Sequence, residues 1–81
     1  MDFEAAKTEI LNWVAQAAGI PHNEIDLDKP LSKIGLDSLD AVHMISTIEL
    51  ILKEDLPEDV IQRVTCLNDI FEMMRKKLAA A

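Results

Sequence analysis

The chain is 81 residues long, 49% hydrophobic, 28% charged and 4% aromatic, with one cysteine (Cys66) and no tyrosine. This composition fits a single domain spanning 1–81 with an aliphatic core, and it excludes a disulfide scaffold or a disordered chain. A net charge of −7 sets the surface against nucleic acid and anionic membranes and toward basic partners.

The first predicted helix covers residues 3–18, where Phe3, Ala6, Ile10, Trp13, Val14 and Ala17 recur at helical spacing. Asp2 suits its N-cap, Gly19 its C-terminal stop, and Pro21 bars continuation. Residues 19–37 then hold Gly19, Pro21, Pro30 and Gly35, which break regular structure. Ile20, Ile25, Leu27, Leu31, Ile34 and Leu36 are too many apolar groups for a solvated connection, so an ordered loop plugged into the core is expected.

A second helix is predicted at 38–53 with Asp37 as N-cap, a short third at 58–64, and a fourth at 67–77. Pro57 is read as a first-turn residue of the third. Leu67, Ile70, Phe71, Met74 and Leu78 stripe the fourth, while Arg75, Lys76 and Lys77 match its negative end. Ala79-Ala80-Ala81 is expected to fray. The fold class is therefore all-α, a four-helix bundle of three longer helices and one short, with a long ordered loop between the first two.

On the second helix, Ala41, Met44, Ile45, Ile48 and Leu52 form the core face. A further stripe of Leu39, Val42, His43, Ser46 and Leu50 mixes apolar with polar groups, ringed by Asp40, Glu49, Glu54 and Asp55. Scattered exposed leucines and valines are ordinary. Beside Ser38 the same stripe reads as a docking strip, with carboxylates steering a basic partner and apolar groups supplying contact area.

Ser38, in Gly35-Leu36-Asp37-Ser38-Leu39-Asp40, places a hydroxyl at a helix N-terminus, where unpaired N–H groups favour an anion. It suits a phosphate attachment point as well as a helix cap. Nucleophilic catalysis is disfavoured: the only histidines are His22 and His43, and no Gly-x-Ser-x-Gly elbow surrounds the serine. One cysteine and two separated histidines give no metal-ligand spacing. Asp26-Leu27-Asp28 lacks the glycine and glutamate of a calcium loop and reads as solvated carboxylates. Cys66 reads as a small buried apolar group, Trp13 as half-core, and Met73 and Met74 as packing residues.

With the run from Ile34 to Asp40, flanked by Leu31, Val42, Glu49 and Leu56-Pro57, the chain resembles the acyl carrier proteins over about residues 3–77. The resemblance implies a carrier rather than an enzyme. The serine matching Ser38 would receive 4′-phosphopantetheine from coenzyme A through a phosphopantetheinyl transferase, and the arm's thiol would hold an acyl thioester. Asp37 would belong to the transferase recognition motif and help hold its magnesium. Leu39, Asp40, Val42, His43, Ser46 and Glu49 would form the docking surface for acyl-handling enzymes with basic surfaces. His43, Ser46, Leu50, Ile51 and Lys53 depart from the glutamate-rich second helix of fatty acid synthesis carriers, which favours a specialised pathway. An aminoacyl, aryl or D-alanyl carrier, and an unmodified interaction domain with Ser38 as a mere cap, are the alternatives.

No stretch approaches the ~20 apolar residues of a membrane span. Asp2 and Glu4 deny the N-terminus the basic start of a targeting peptide. A soluble, cytoplasmic monomer is expected.

Overall fold

The computed structural model describes residues 2–79. Its four helices are α1 (Phe3–Ala18), α2 (Ser38–Leu52), α3 (Glu58–Arg63) and α4 (Leu67–Ala79), with no strand among the described residues. The expected all-α bundle is what is found. Asp2 Oδ1 accepts the Ala5 N–H at 2.8 Å and starts α1. Gly19, in the left-handed region at φ 69, sends its N–H to the Ala15 carbonyl and ends it.

The three longer helices pack on one another, α1 against both α2 and α4, and α2 against α4. Ile10, Val14, Met44, Ile48, Leu67, Ile70 and Met74 are fully buried between them. Each such side chain contributes about 1.5–3 kcal/mol relative to exposure, which a small domain without a disulfide depends on. At one edge Phe3 meets Phe71 edge-on, with ring centroids 6.4 Å apart. Lys7 lies over Phe71 and Arg75 over Phe3, so part of the terminal basic cluster packs as well as matching the helix dipole.

The long connection plugs into the core as expected, with Ile25, Ile34 and Leu36 buried. It also forms two short 3₁₀ turns, His22–Glu24 and Leu31–Lys33, that the apolar pattern does not announce. The start of α4 holds the loop in place. Asn68 N–H donates to the Leu27 carbonyl at 3.0 Å, Leu31 N–H to the Thr65 carbonyl at 3.0 Å, and the Asn68 amide to Asp28. Asp26 accepts the Asp28 N–H at 2.9 Å. Both aspartates are exposed, as expected of solvated carboxylates, and they also brace the loop.

Several boundaries shift. Ala17 is exposed, being a small residue on the outer side of the last turn of α1. Pro57 has an extended backbone and precedes α3 as its N-cap, since the helix begins at Glu58. That helix stops at Arg63 because Val64 is extended. Cys66 is only half-buried, because its backbone bridges to Pro30 at the loop edge. Ala79 still belongs to α4, while Ala80 and Ala81 lie outside the described residues. Helix α2 stops at Leu52, and Lys53 caps it in the left-handed region at φ 59, the only non-glycine residue with positive φ among those described.

Asp69 ties down the entry to α4. Its Oδ2 accepts the N–H of Thr65 at 3.0 Å and of Cys66 at 3.3 Å, and these bonds hold its pKa below the ordinary 3.8. The folded state thus keeps Asp69 ionised to lower pH than the unfolded chain does. Its contribution is complete above 3.8 and drains away as pH falls through the folded value. Asp69→Asn should lower the thermal midpoint at neutral pH, and the gap to wild type should close in acid below that point. Melts followed by circular dichroism across this range check it. Lys53→Gly should raise stability by about 0.5–1 kcal/mol, because glycine takes the left-handed cap without a Cβ penalty. Urea unfolding measures this.

Candidate functional site

Gly35 begins the site. Its φ of 99 is a conformation that side-chain-bearing residues rarely adopt, and a Cβ there would meet the Ala18 Cβ at 3.4 Å. This close turn against the end of α1 lets Leu36 drop into the core, 4% exposed, immediately before α2 starts. Its N–H donates to the Leu31 carbonyl at 3.3 Å. Two residues later the chain enters α2 on the surface.

Asp37 and Asp40 then cap the helix reciprocally. Asp37 Oδ1 accepts the Asp40 N–H at 2.8 Å, and Asp40 Oδ2 accepts the Asp37 N–H at 3.2 Å. The cap role is thereby filled, and Ser38 is not needed for it. This overturns the reading of Ser38 as a mere N-cap. Ser38 is exposed at the first helical position. The N–H groups of Ser38 and Leu39 have no intrahelical acceptor, so an anion on the serine oxygen would sit beside unpaired donors. Asp37 is exposed, and its Oδ2 has no hydrogen bond among the described residues, which leaves one oxygen free for a cation.

Other chemistry is not assembled at Ser38. His43 lies five residues on, about 140° around the helix, and His22 is in the first 3₁₀ turn. Among the described residues no group of three or more His, Cys, Asp or Glu is placed to hold a metal ion.

The residues expected to dock a partner separate into two kinds. Leu39, Val42 and Leu50 are exposed by 64%, 60% and 79%, and with Ser46 they form one continuous ridge from the serine to the far end of α2. His43 is exposed beside it. Ile51, by contrast, is half-buried and packs on the core. Three of the four carboxylates also make a contact within the molecule. Asp40 belongs to the cap, Glu49 is half-buried and accepts the Leu56 N–H at 2.7 Å, and Glu54 pairs with Lys77 at 3.1 Å. Of the four expected to ring the strip, only Asp55 has no partner among the described residues. The Asp-x-x-Asp spacing carried the signal for the reciprocal cap, but nothing local announced the Glu49–Leu56 bond.

An apolar crevice of about 270 Å³ opens between α2 and α3, lined by Ala41, Val42, Ile45, Ser46, Glu49 and Ile61. It adjoins the ridge through Val42 and Ser46, which line both.

Residues 8–74 match the family model described as the phosphopantetheine attachment site. The chain belongs to the acyl carrier protein family. It is 30% identical over 69 residues to an acyl carrier protein of Phytoplasma mali (strain AT), covering 84% of this chain and 82% of that relative. It is 26% identical over 81 residues to an acyl carrier protein of Syntrophobacter fumaroxidans (strain DSM 10017 / MPOB), covering 99% of this chain and all of that one. Acyl carrier proteins bear a covalent 4′-phosphopantetheine, work with a phosphopantetheinyl transferase and acyl-handling enzymes, and are carriers rather than enzymes. Among the described residues no helix is long and apolar enough to cross a membrane.

The capping geometry separates two neighbouring residues by experiment. Asp37→Ala should cost about 0.5–2 kcal/mol through loss of the helix cap. Ser38→Ala should leave stability within about 0.5 kcal/mol of wild type, as an exposed substitution without a partner does. Chemical denaturation of the two variants in parallel is the measurement.

Proposed function

We propose that Ser38 is the attachment point of 4′-phosphopantetheine and that the arm carries acyl intermediates as thioesters. The observation that carries this reading is the reciprocal Asp37–Asp40 cap, which leaves an exposed hydroxyl at the N-terminus of α2 with no structural task. In the transfer, the Ser38 oxygen attacks the β-phosphorus of coenzyme A, and 3′,5′-adenosine bisphosphate leaves. The hydroxyl proton is lost to the transferase. Asp37, with one carboxylate oxygen unengaged, is suited to contact the magnesium ion that a transferase brings.

An attached phosphodiester would lie near the unpaired Ser38 and Leu39 amides and near the Asp37 and Asp40 carboxylates. Attraction at the helix end is offset by like charge, so the arm is free to leave the surface and enter a visiting enzyme. The α2–α3 crevice offers apolar cover to an acyl chain, and the buried Met44 and Met74 give the core adaptable side chains. The cargo this favours is an aliphatic acyl group of a fatty acid, polyketide or dedicated lipid pathway. The net charge of −7 draws enzymes with basic surfaces from a distance. A monomer with an unpaired cysteine suits the cytoplasm, where thiols stay reduced.

Incubation with coenzyme A, magnesium and a broad-specificity phosphopantetheinyl transferase should add the mass of one arm to the intact protein. Ser38→Ala should gain nothing. Failure of the wild-type protein to gain mass, or a gain that persists in Ser38→Ala, overturns the assignment.

A further inference from the structure

The crevice between α2 and α3 has a direction. Its lining residues on α2 are Ala41, Val42, Ile45, Ser46 and Glu49, so it starts one turn past Ser38 and follows the helix for about 12 Å. Most of that path is apolar, with Ile61 contributed by α3. Glu49 interrupts it. This residue is half-buried, and its Oε2 accepts the Leu56 N–H at 2.7 Å. Swinging the carboxylate aside would orphan the amide of a buried residue, so the charge is fixed where it stands. Glu49 and Ser46 also line a second, open groove with Lys53, Glu54 and Asp55. The two residues thus mark the boundary between a hydrocarbon-lined space and a charged one.

Resting on the carrier reading of Ser38, we infer that Glu49 is a specificity-determining residue that limits the length of acyl chain this protein shelters. The arm delivers its thioester at the Ala41 end, and the chain runs along α2 toward Glu49. Each methylene kept inside the crevice shifts the balance toward the sheltered chain by up to roughly fourfold. The gain stops at Glu49. A hydrocarbon pushed further strips water from a fixed carboxylate and then meets charged side chains. The crevice volume of about 270 Å³ holds about nine groups the size of a water molecule at ~30 Å³ each, and a methylene is of similar size. The sheltered cargo is a saturated chain of about eight to ten carbons, and longer tails project into solvent.

The test loads wild type, Glu49→Gln and Asp55→Asn from acyl-coenzyme A of four to fourteen carbons. A broad-specificity phosphopantetheinyl transferase makes each product, and intact mass verifies it. The readout is the thermal midpoint by circular dichroism, since a chain held only by the folded state stabilises that state. Each protein is compared with its own four-carbon form, which separates cargo shelter from baseline stability. In wild type the midpoint should climb with each added pair of carbons and level off at about eight to ten. Glu49→Gln keeps an acceptor for the Leu56 N–H but removes the charge, so its levelling point should move about two carbons longer or more. Asp55→Asn removes an exposed carboxylate outside the crevice and should level off where wild type does. A wild-type climb that continues to fourteen carbons, or a flat series, overturns the inference while the attachment reading stands. So does an unmoved levelling point in Glu49→Gln, or an equal move in Asp55→Asn. Absence of any added mass on wild type overturns both.

Discussion

The pair of hydrogen bonds exchanged by Asp37 and Asp40 is the constraint on which the rest of the molecule turns. It satisfies two backbone donors at an exposed helix start, and it sets the residue at which α2 begins. Everything downstream takes its register from that point. Met44 and Ile48 turn inward, Leu39, Val42 and Leu50 turn outward, and Ser38 is left over. Were the serine itself the cap, its oxygen would be engaged with the backbone and less available to an incoming phosphorus. The aspartate before it releases the hydroxyl from structural duty.

That junction is kept in place from below. Gly35 bends the chain tightly past Ala18, and Leu36 anchors the bend in the core. The loop leading there is fixed by backbone bonds to the entry of α4, so α1, α4 and the loop together form the seat on which α2 begins. An exposed chemical group is thereby carried on a rigid base, although the segment before it has little regular structure. Carboxylates at the far end also serve the fold, with Glu49 closing the turn toward α3 and Glu54, just past α2, joining it to α4.

The features readable in advance are those whose signals are local. Helical spacing locates the three longer helices, Pro57 marks the short third, Asp2, Gly19 and Asp37 announce caps, and six apolar residues between breakers announce a plugged loop. The features hidden in the chain join residues far apart in it. Asp28 meets Asn68, Leu31 meets Thr65, Glu49 meets Leu56 and Glu54 meets Lys77, and no periodicity links those pairs. Ala17 fell on the wrong side because a small side chain in a last helical turn satisfies the spacing without lying between helices. Pro57 caps α3 instead of opening its first turn, since its fixed φ suits the residue before a helix as well as the first one in it. At the site, Ser38 and its neighbours stand out from residue type and position, whereas the left-handed cap at Lys53 shows only in its backbone angle.

Trp13 is the chain's sole indole, and no phenol accompanies it. It leans half-buried on the aliphatic interior from α1. Excited at wavelengths too long for phenylalanine to absorb, this molecule thus emits from one spot. An indole so placed changes colour when the hydrocarbon around it loosens or admits water, so the native chain supplies its own optical gauge of interior swelling, with no label attached.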